Sequence, residues 1–366
     1  MPLSEFYQIR QRLLRWYDQN RRDLPWRQTR DPYAIWIAET MLQQTQVKTV
    51  LPYYRRFLRA LPTLPAIDRA PREEVLALWS GLGYYRRAEN LKEAARKIIR
   101  EHKGKIPQDF DALCALPGIG PYTAGALLSI AFSQPYPALD GNARRVLVRL
   151  FDVTHEKSLH EIAKRLVCPS RPGDFNQALM ELGARICLSR EPNCPLCPLA
   201  RLCAARRSRR FSAQKASEPA KGKSQRVEWP LLVIRHQKAI LLRQRPAEGL
   251  LGRLWEVPGG ERKEGETLEA ALARHLNGRG EKLRPHSIIG EIRHSITNRR
   301  IQAPVFVCSA DTKIPPPGPT WRWVSLMSLH RYPLSSLSLK AIRLSWSDEG
   351  NRLRSPLHLN AALCSH

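Results

Sequence analysis

The chain has 366 residues, too many for one small core and about right for two domains of ordinary size. Sixty Lys and Arg against thirty-three Asp and Glu give a formal charge of +27, an excess that an enzyme of small neutral metabolites does not need and that a polyanion partner, nucleic acid first, explains. With 43% hydrophobic residues the chain can bury real cores, which excludes a wholly disordered basic protein; it has no apolar run near the ~20 residues of a membrane span. Its start, Met1-Pro2-Leu3-Ser4-Glu5-Phe6, has no signal-peptide pattern. The expectation is a soluble, cytoplasmic protein with no membrane partner.

In chain order, Phe6, Ile9, Leu13, Trp16 and Tyr17 recur at helical spacing. Asp31-Pro32 is a helix start, a capping carboxylate before a proline at the first helical position, and the helix runs through Trp36 and Met41. Further helices are predicted over Val47 to Leu61, Arg72 to Trp79, Arg86 to Glu101, Pro121 to Phe132, Asn142 to Phe151 and Phe175 to Arg185. Glycine and proline punctuate them at Gly81-Leu82-Gly83 and Pro117-Gly118-Ile119-Gly120. Residues 1–205 therefore read as one all-α domain. Over 206–228 Arg and Lys sit among Ser, Ala and Gly, which reads as a solvated basic linker free to lie along a phosphate backbone. From 229 to 345 the pattern changes to strands. Leu231 to Ile234 and Ala239 to Leu242 flank a turn at His236-Gln237, with later strands over Ser287 to Ile292, Ile301 to Cys308 and Trp321 to Val324. A helix from Thr267 to Leu276 lies between them, which suggests a smaller α+β domain. Residues 346–366 read as a polar tail.

Three features carry chemistry. Leu116-Pro117-Gly118-Ile119-Gly120-Pro121-Tyr122 is a glycine hairpin opening an apolar helix, able to offer backbone amides to a phosphate or simply to turn the chain. Asp140, in Leu139-Asp140-Gly141-Asn142, is a helix cap or a functional carboxylate. Cys187, Cys194, Cys197 and Cys203, spaced C-x6-C-x2-C-x5-C, are too clustered for a disulfide framework and point to a metal centre. By count they suit zinc or iron–sulfur.

In this order the three motifs resemble the helix-hairpin-helix DNA glycosylases, over about residues 5 to 205. Within them, Trp36-Ile37-Ala38-Glu39-Thr40-Met41-Leu42-Gln43-Gln44-Thr45-Gln46-Val47, Gly81-Leu82-Gly83-Tyr84-Tyr85 and Leu24-Pro25-Trp26-Arg27 are similar to the MutY-type adenine DNA glycosylases. The resemblance implies an all-α helix-hairpin-helix glycosylase domain with a 4Fe–4S cluster loop, followed by a smaller α+β Nudix-like domain. It also implies a monomer acting on double-stranded DNA with adenine opposite 8-oxoguanine or guanine.

Adenine leaves poorly as an anion, so cutting its glycosidic bond needs a proton delivered to the ring by a carboxylic acid of raised pKa. Glu39 stands among Ile35, Trp36, Ile37, Met41 and Leu42, where such an acid would be buried, and the family's general acid falls on it. By resemblance Asp140 is the anion that steadies the cationic sugar, and the cysteines hold the cluster. Tyr122, expected beside Asp140, stands where lyase relatives carry the Schiff-base lysine, so base excision without a strong strand-cleaving step is expected. The same resemblance puts Trp26, Arg27, Leu42 and Glu181 at the adenine pocket. Gln44 and Tyr84 become wedges in the base stack, with Thr45 near the orphan base and Gly118 and Gly120 on the DNA backbone.

In the second domain Gly249 to Gly260 resembles the Nudix-like C-terminal domain of the same family. Gly260, Glu266 and Arg274 match the start of a Nudix box, but His275, Gly278 and Arg279 stand where Mg²⁺-binding carboxylates should follow, so diphosphate hydrolysis is not expected. Ile296-Thr297-Asn298 replaces the family's usual Phe-Ser-His at the 8-oxoguanine loop. Thr297 and Asn298 keep hydrogen-bonding capacity while the aromatic ring and imidazole are lost.

Overall fold

A computed structural model describes residues 3–208, 224–249, 251–276, 287–296, 298–309 and 318–347. The helices run in order α1 (Leu3–Asn20), α2 (Pro32–Leu42), α3 (Val47–Ala60), α4 (Leu64–Arg69), α5 (Arg72–Trp79), α6 (Arg86–Glu101), α7 (Phe110–Cys114), α8 (Pro121–Ile130), α9 (Gly141–Phe151), α10 (Glu156–Leu166), α11 (Pro172–Arg185) and α12 (Ala204–Arg207). Then follow β1 (Gln225–Glu228), β2 (Leu231–His236), β3 (Ala239–Gln244), β4 (Trp255–Glu256), α13 (Leu268–His275), β5 (Ser287–Ile296), β6 (Arg299–Ser309), β7 (Trp321–Ser325) and α14 (Ser336–Ser347). Among the described residues no helix is long and apolar enough to cross a membrane.

The contacts divide the chain into two units. The first comprises Met1–Arg69 and Asn90–Pro219, the second Ala70–Glu89 and Ala220–His366. The first is helical. Phe6, Ile9, Leu13 and Tyr17 of α1 meet Leu147 and Leu150 of α9, Leu166 of α10, and Phe175 and Leu182 of α11 in one core. The Asp31 carboxylate accepts from the Tyr33 and Ala34 amides at 3.0 and 3.3 Å, and Pro32 fills the first position of α2. Every residue of α2 from Tyr33 to Met41 is buried. Gly118 turns the α7–α8 hairpin with φ +77, and a Cβ there would also strike Asn90 at 2.8 Å; no other residue type fits. Gly120 caps α8 without either constraint.

The second unit holds a seven-stranded mixed sheet, ordered β1-β6-β2-β3-β4, with β5 also on β6 and β7 also on β3. β2 runs parallel to β6 and antiparallel to β3. Alternate residues of β2 face opposite ways: Leu231 and Val233 join Val305 and Ile342 on one side, while Leu232 and Ile234 join Leu272 and Phe306 on the other. Burial on both faces explains the unbroken apolar run.

Three differences from the sequence-based elements have simple causes. Residues 225–228, expected in the linker, form β1, because β6 supplies a parallel partner from Gln225↔Arg299 to Glu228↔Gln302. Residues 70–89, expected in the first domain, pack with the second unit. The serine-rich stretch before the tail forms α14, which lays Leu337, Ala341 and Ile342 on the sheet.

Candidate active site

A cavity of about 1000 Å³ opens in the first unit, walled by Trp26, Arg27, Glu39, Leu42, Tyr122, Asp140, Met180 and Glu181, with Gln44 and Thr45 also on it. Glu39 reaches it from the middle of α2 and is 5% exposed. Because that helix is surrounded by protein, burial pushes the Glu39 carboxyl up from 4.5 to about 7. The hydrogen bond from Tyr122 and the charge of Arg27 pull the other way, and the charge of Asp140 adds to the rise. The Tyr122 hydroxyl donates to Glu39 Oε2 at 2.6 Å. Its partner is thus Glu39 rather than Asp140, which reaches Tyr122 only through its charge. Burial and both carboxylates raise the phenol well above its ordinary range, so it stays a neutral donor.

Asp140 caps α9. Its Oδ1 accepts the Ala143 amide at 2.6 Å and its Oδ2 the Asn142 side-chain amide at 2.9 Å. Burial raises its carboxyl, while these donors, the Asn142 backbone amide and the charge of Arg145 oppose the rise. Asp140 thus has several donors aimed at its anionic form against one for Glu39. Burial dominates at Glu39 and favours its protonated form, whereas the donors around Asp140 work against burial and favour its anion. Asp140 is the cap of α9, and the same side chain also lines the cavity.

Glu181, on α11, is fully buried and bound by two arginines: Arg22 Nε and Nη2 donate to its two oxygens at 2.7 and 2.8 Å, and Arg27 Nη2 to Oε2 at 2.8 Å. Burial pushes its carboxyl up, but the Arg22 and Arg27 bonds together outweigh it and hold the group below the usual carboxylate range. Arg27 also lies over the Tyr17 ring, 5.5 Å from its centroid, and Trp26 meets Tyr54 edge-on at 5.2 Å. Arg22 and Asn142 were not singled out from the sequence. Asn142 lies within the quoted Asp140 motif, but Arg22 sits 159 positions from its partner and gives no local signal.

The other sequence-derived positions are placed as follows. Gln44 is exposed with φ +57, and Thr45 donates its hydroxyl to Gln43 O at 3.4 Å. In the second unit Tyr84 is 55% exposed with φ +49. Cys187, Cys194, Cys197 and Cys203 line one small cavity with Val146, Leu150, Leu182 and Arg149. Among the described residues no three His, Cys, Asp or Glu side chains close on a single metal ion. Four sulfurs around a common hollow make a thiolate donor set of the kind that an iron–sulfur cluster takes. Arg149 Nη1 donates to Cys187 Sγ at 3.3 Å and Arg206 lies near Cys194, positive charge suited to thiolates.

In the second unit Arg274 grips Glu266 through Nε and Nη2 at 2.9 and 2.8 Å and holds its carboxyl far below the usual range. Burial and the charges of Arg243, Arg274 and Arg245 bring His275 down to about 4. Gly278, Arg279 and Thr297 lie outside the described residues. Asn298 sits at the β5–β6 turn, where its carbonyl accepts from the Gln225 amide at 3.0 Å.

Residues 37–172 match the family model of the HhH-GPD superfamily base excision DNA repair proteins, and residues 231–344 that of the NUDIX domain. The human adenine DNA glycosylase is 36% identical over 409 residues, covering 93% of this chain and 74% of the relative. The adenine DNA glycosylase of Buchnera aphidicola subsp. Acyrthosiphon pisum is 36% identical over 266 residues, 70% of this chain and 76% of the relative. The solved structure of a thermostable thymine-DNA glycosylase aligns with a TM-score of 0.54 at 33% identity, over 56% of this chain and 98% of its own. With its helix-hairpin-helix glycosylase domain, its Nudix-like C-terminal domain and identity of this extent, the chain belongs to the adenine DNA glycosylase family.

Proposed function

We propose that the protein removes adenine mispaired with 8-oxoguanine or guanine from double-stranded DNA by hydrolysing the N-glycosidic bond, as a monomer and without a lyase step. The observation that carries this reading is the pairing of a buried Glu39, bonded to Tyr122, with a donor-rich Asp140 on one cavity. Adenine inside a duplex hides its glycosidic bond, so the base must swing out at a cost of a few kcal/mol. Gln44 and Tyr84 enter the vacated stack, Thr45 stands near the orphan base, and the hairpin at Gly118 and Gly120 holds the backbone. Glu181, kept anionic by Arg22 and Arg27, accepts from the exocyclic amine of adenine, and Trp26 and Leu42 supply pocket wall. Glu39 gives its proton to a ring nitrogen, the glycosidic electron pair leaves with the base, and Asp140 steadies the positive charge on the sugar. Glu39, now a carboxylate, takes a proton from the water that attacks the sugar carbon. The products are free adenine and an abasic site.

Tyr122 has no amine for an imine, so borohydride should trap no covalent DNA adduct. Single-turnover assays with adenine opposite 8-oxoguanine, G, C or T test the whole reading. Release is expected from the first two, and no free adenine from any of them would overturn it.

Recognition of 8-oxoguanine falls to the second domain, through Thr297 and Asn298. Glu266 is engaged by Arg274 and His275 stands uncharged in place of a carboxylate, so diphosphate hydrolysis with Mg²⁺ is not expected. Cys187, Cys194, Cys197 and Cys203 would hold a 4Fe–4S cluster. When bound it supplies a rigid cross-link of the loop and no proton or electron to the base excision. The purified protein is expected to absorb broadly near 400 nm (roughly, from cluster chemistry), and Cys197→Ala should lose that band; a colourless, iron-free wild type would refute the assignment.

Tyr122→Phe removes the hydroxyl that donates to the Glu39 carboxylate. Glu39 should then hold its proton to higher pH, moving the alkaline limb of the rate profile up. A limb left in place would show that the hydroxyl does not tune the acid.

A further inference from the structure

The loop that presents Tyr84 is built in an unusual way. Gly81, Gly83 and Tyr84 all take left-handed backbone, with φ of +101, +75 and +49. For an aromatic residue that conformation costs energy and persists only where the surroundings enforce it. Trp79 Nε1 and Arg87 Nη2 both donate to the Gly83 carbonyl, at 3.2 and 3.1 Å. The Arg87 guanidinium lies over the rings of Trp79 and Tyr84, 5.4 and 5.5 Å from their centroids. These contacts fix the shape of the turn.

What fixes its place is a second set. Ser80 Oγ donates to the Leu334 carbonyl at 2.8 Å and accepts the Leu334 amide at 3.2 Å. The buried Tyr85 hydroxyl donates to the same carbonyl at 2.6 Å and accepts the Gly81 amide at 3.2 Å. Two side-chain hydroxyls flanking Tyr84 thus converge on one peptide, 249 and 254 positions away. That peptide is itself tied to the sheet. Trp255 of β4 donates its amide to Pro333 O at 2.8 Å and accepts from the Ser335 amide at 3.3 Å. Packing alone needs neither hydroxyl, since phenylalanine and alanine would fill the same space. Both loop ends instead spend a polar group on the Leu334 backbone.

We infer that Ser80 and Tyr85 are positioning residues for base excision: their hydroxyls seat the Tyr84 turn on the Leu334 strand segment, so that the unit carrying the Asn298 turn also sets where the wedge enters the DNA. The inference rests on the proposed wedge role of Tyr84. It makes wedging and reading of the opposite base properties of one body.

The test uses the full-length protein and a duplex with adenine opposite 8-oxoguanine. Ser80→Ala and Tyr85→Phe delete only hydroxyls. Each should slow single-turnover adenine release about fivefold to tenfold, the range of one lost buried hydrogen bond. Each should also weaken the fluorescence rise of a 2-aminopurine placed beside the mismatch, which reports unstacking. Ser80→Thr, which keeps the hydroxyl, should restore both. In a Tyr84→Ser background Ser80→Ala should have no further effect, because the seat then holds nothing. Wild-type rates for Ser80→Ala and Tyr85→Phe alongside a slow Tyr84→Ser would overturn the seating role. So would additive losses in the double variant, or a slow Ser80→Thr as impaired as Ser80→Ala. A Tyr84→Ser enzyme at the wild-type rate would instead overturn the wedge reading itself.

Discussion

Glu39→Gln is expected to lower single-turnover adenine release by about 10²- to 10⁴-fold, the usual contribution of a positioned general acid, while leaving mismatch binding in place. The amide keeps the shape of the side chain and can still accept from the Tyr122 hydroxyl, so the cavity should survive. What it loses is the proton. In the wild-type protein the rate should fall as pH rises through about 7, where Glu39 ionises, and the variant's residual rate should lack that limb. On stability the substitution should act with the opposite sign. A carboxyl raised from 4.5 to about 7 on folding contributes fully below the lower value, and that contribution is lost as pH rises through the upper one. Glu39→Gln should therefore melt at a higher temperature than wild type at pH 8, with a smaller difference at pH 5. Calorimetry at the two pH values checks the sign; a variant less stable at pH 8 would contradict a buried, ionising acid.

Asp140→Asn is the second large effect. Losing the anion beside the developing sugar cation should cost about 10²- to 10³-fold in rate, as for other charge-stabilising groups. Asparagine caps helices about as well as aspartate, so the Ala143 amide keeps an acceptor and melting should hardly change. Asp140→Ala should lose the same activity and, in addition, about 1 kcal/mol of stability from the missing cap. Asp140→Asn with near-wild-type release would leave Asp140 as a cap alone.

The parts legible in the sequence were those with local causes. Asp31-Pro32 announced α2, and the apolar residues around Glu39 announced its burial. The glycine pattern at Gly118 reflects a left-handed turn that no other residue type takes so easily. What escaped depends on distant partners. Arg22 has meaning only against Glu181, and Tyr122 was expected beside Asp140 because chain order cannot show which carboxylate its hydroxyl reaches. Residues 70–89 read as part of the helical half, yet their contacts lie with the second unit. Gln225–Glu228 looked like the end of a charged tether, and only β6 makes it a strand. Each of these follows from packing between residues far apart in the chain, which local periodicity does not encode.

Helix α9 begins at the Asp140 cap, and two of its three arginines, Arg145 and Arg149, face the cysteine loop. Arg145 donates to the Cys187 carbonyl at 2.8 Å, and Arg149 to the Leu188 and Ser189 carbonyls at 2.6 and 2.8 Å. The sulfur-bearing loop is thereby bolted along the same rigid rod, about 16 Å long, whose N-terminal cap is Asp140. Any loss of order in the loop would therefore reach the Asp140 end of the helix mechanically, through the arginines rather than through the cavity wall.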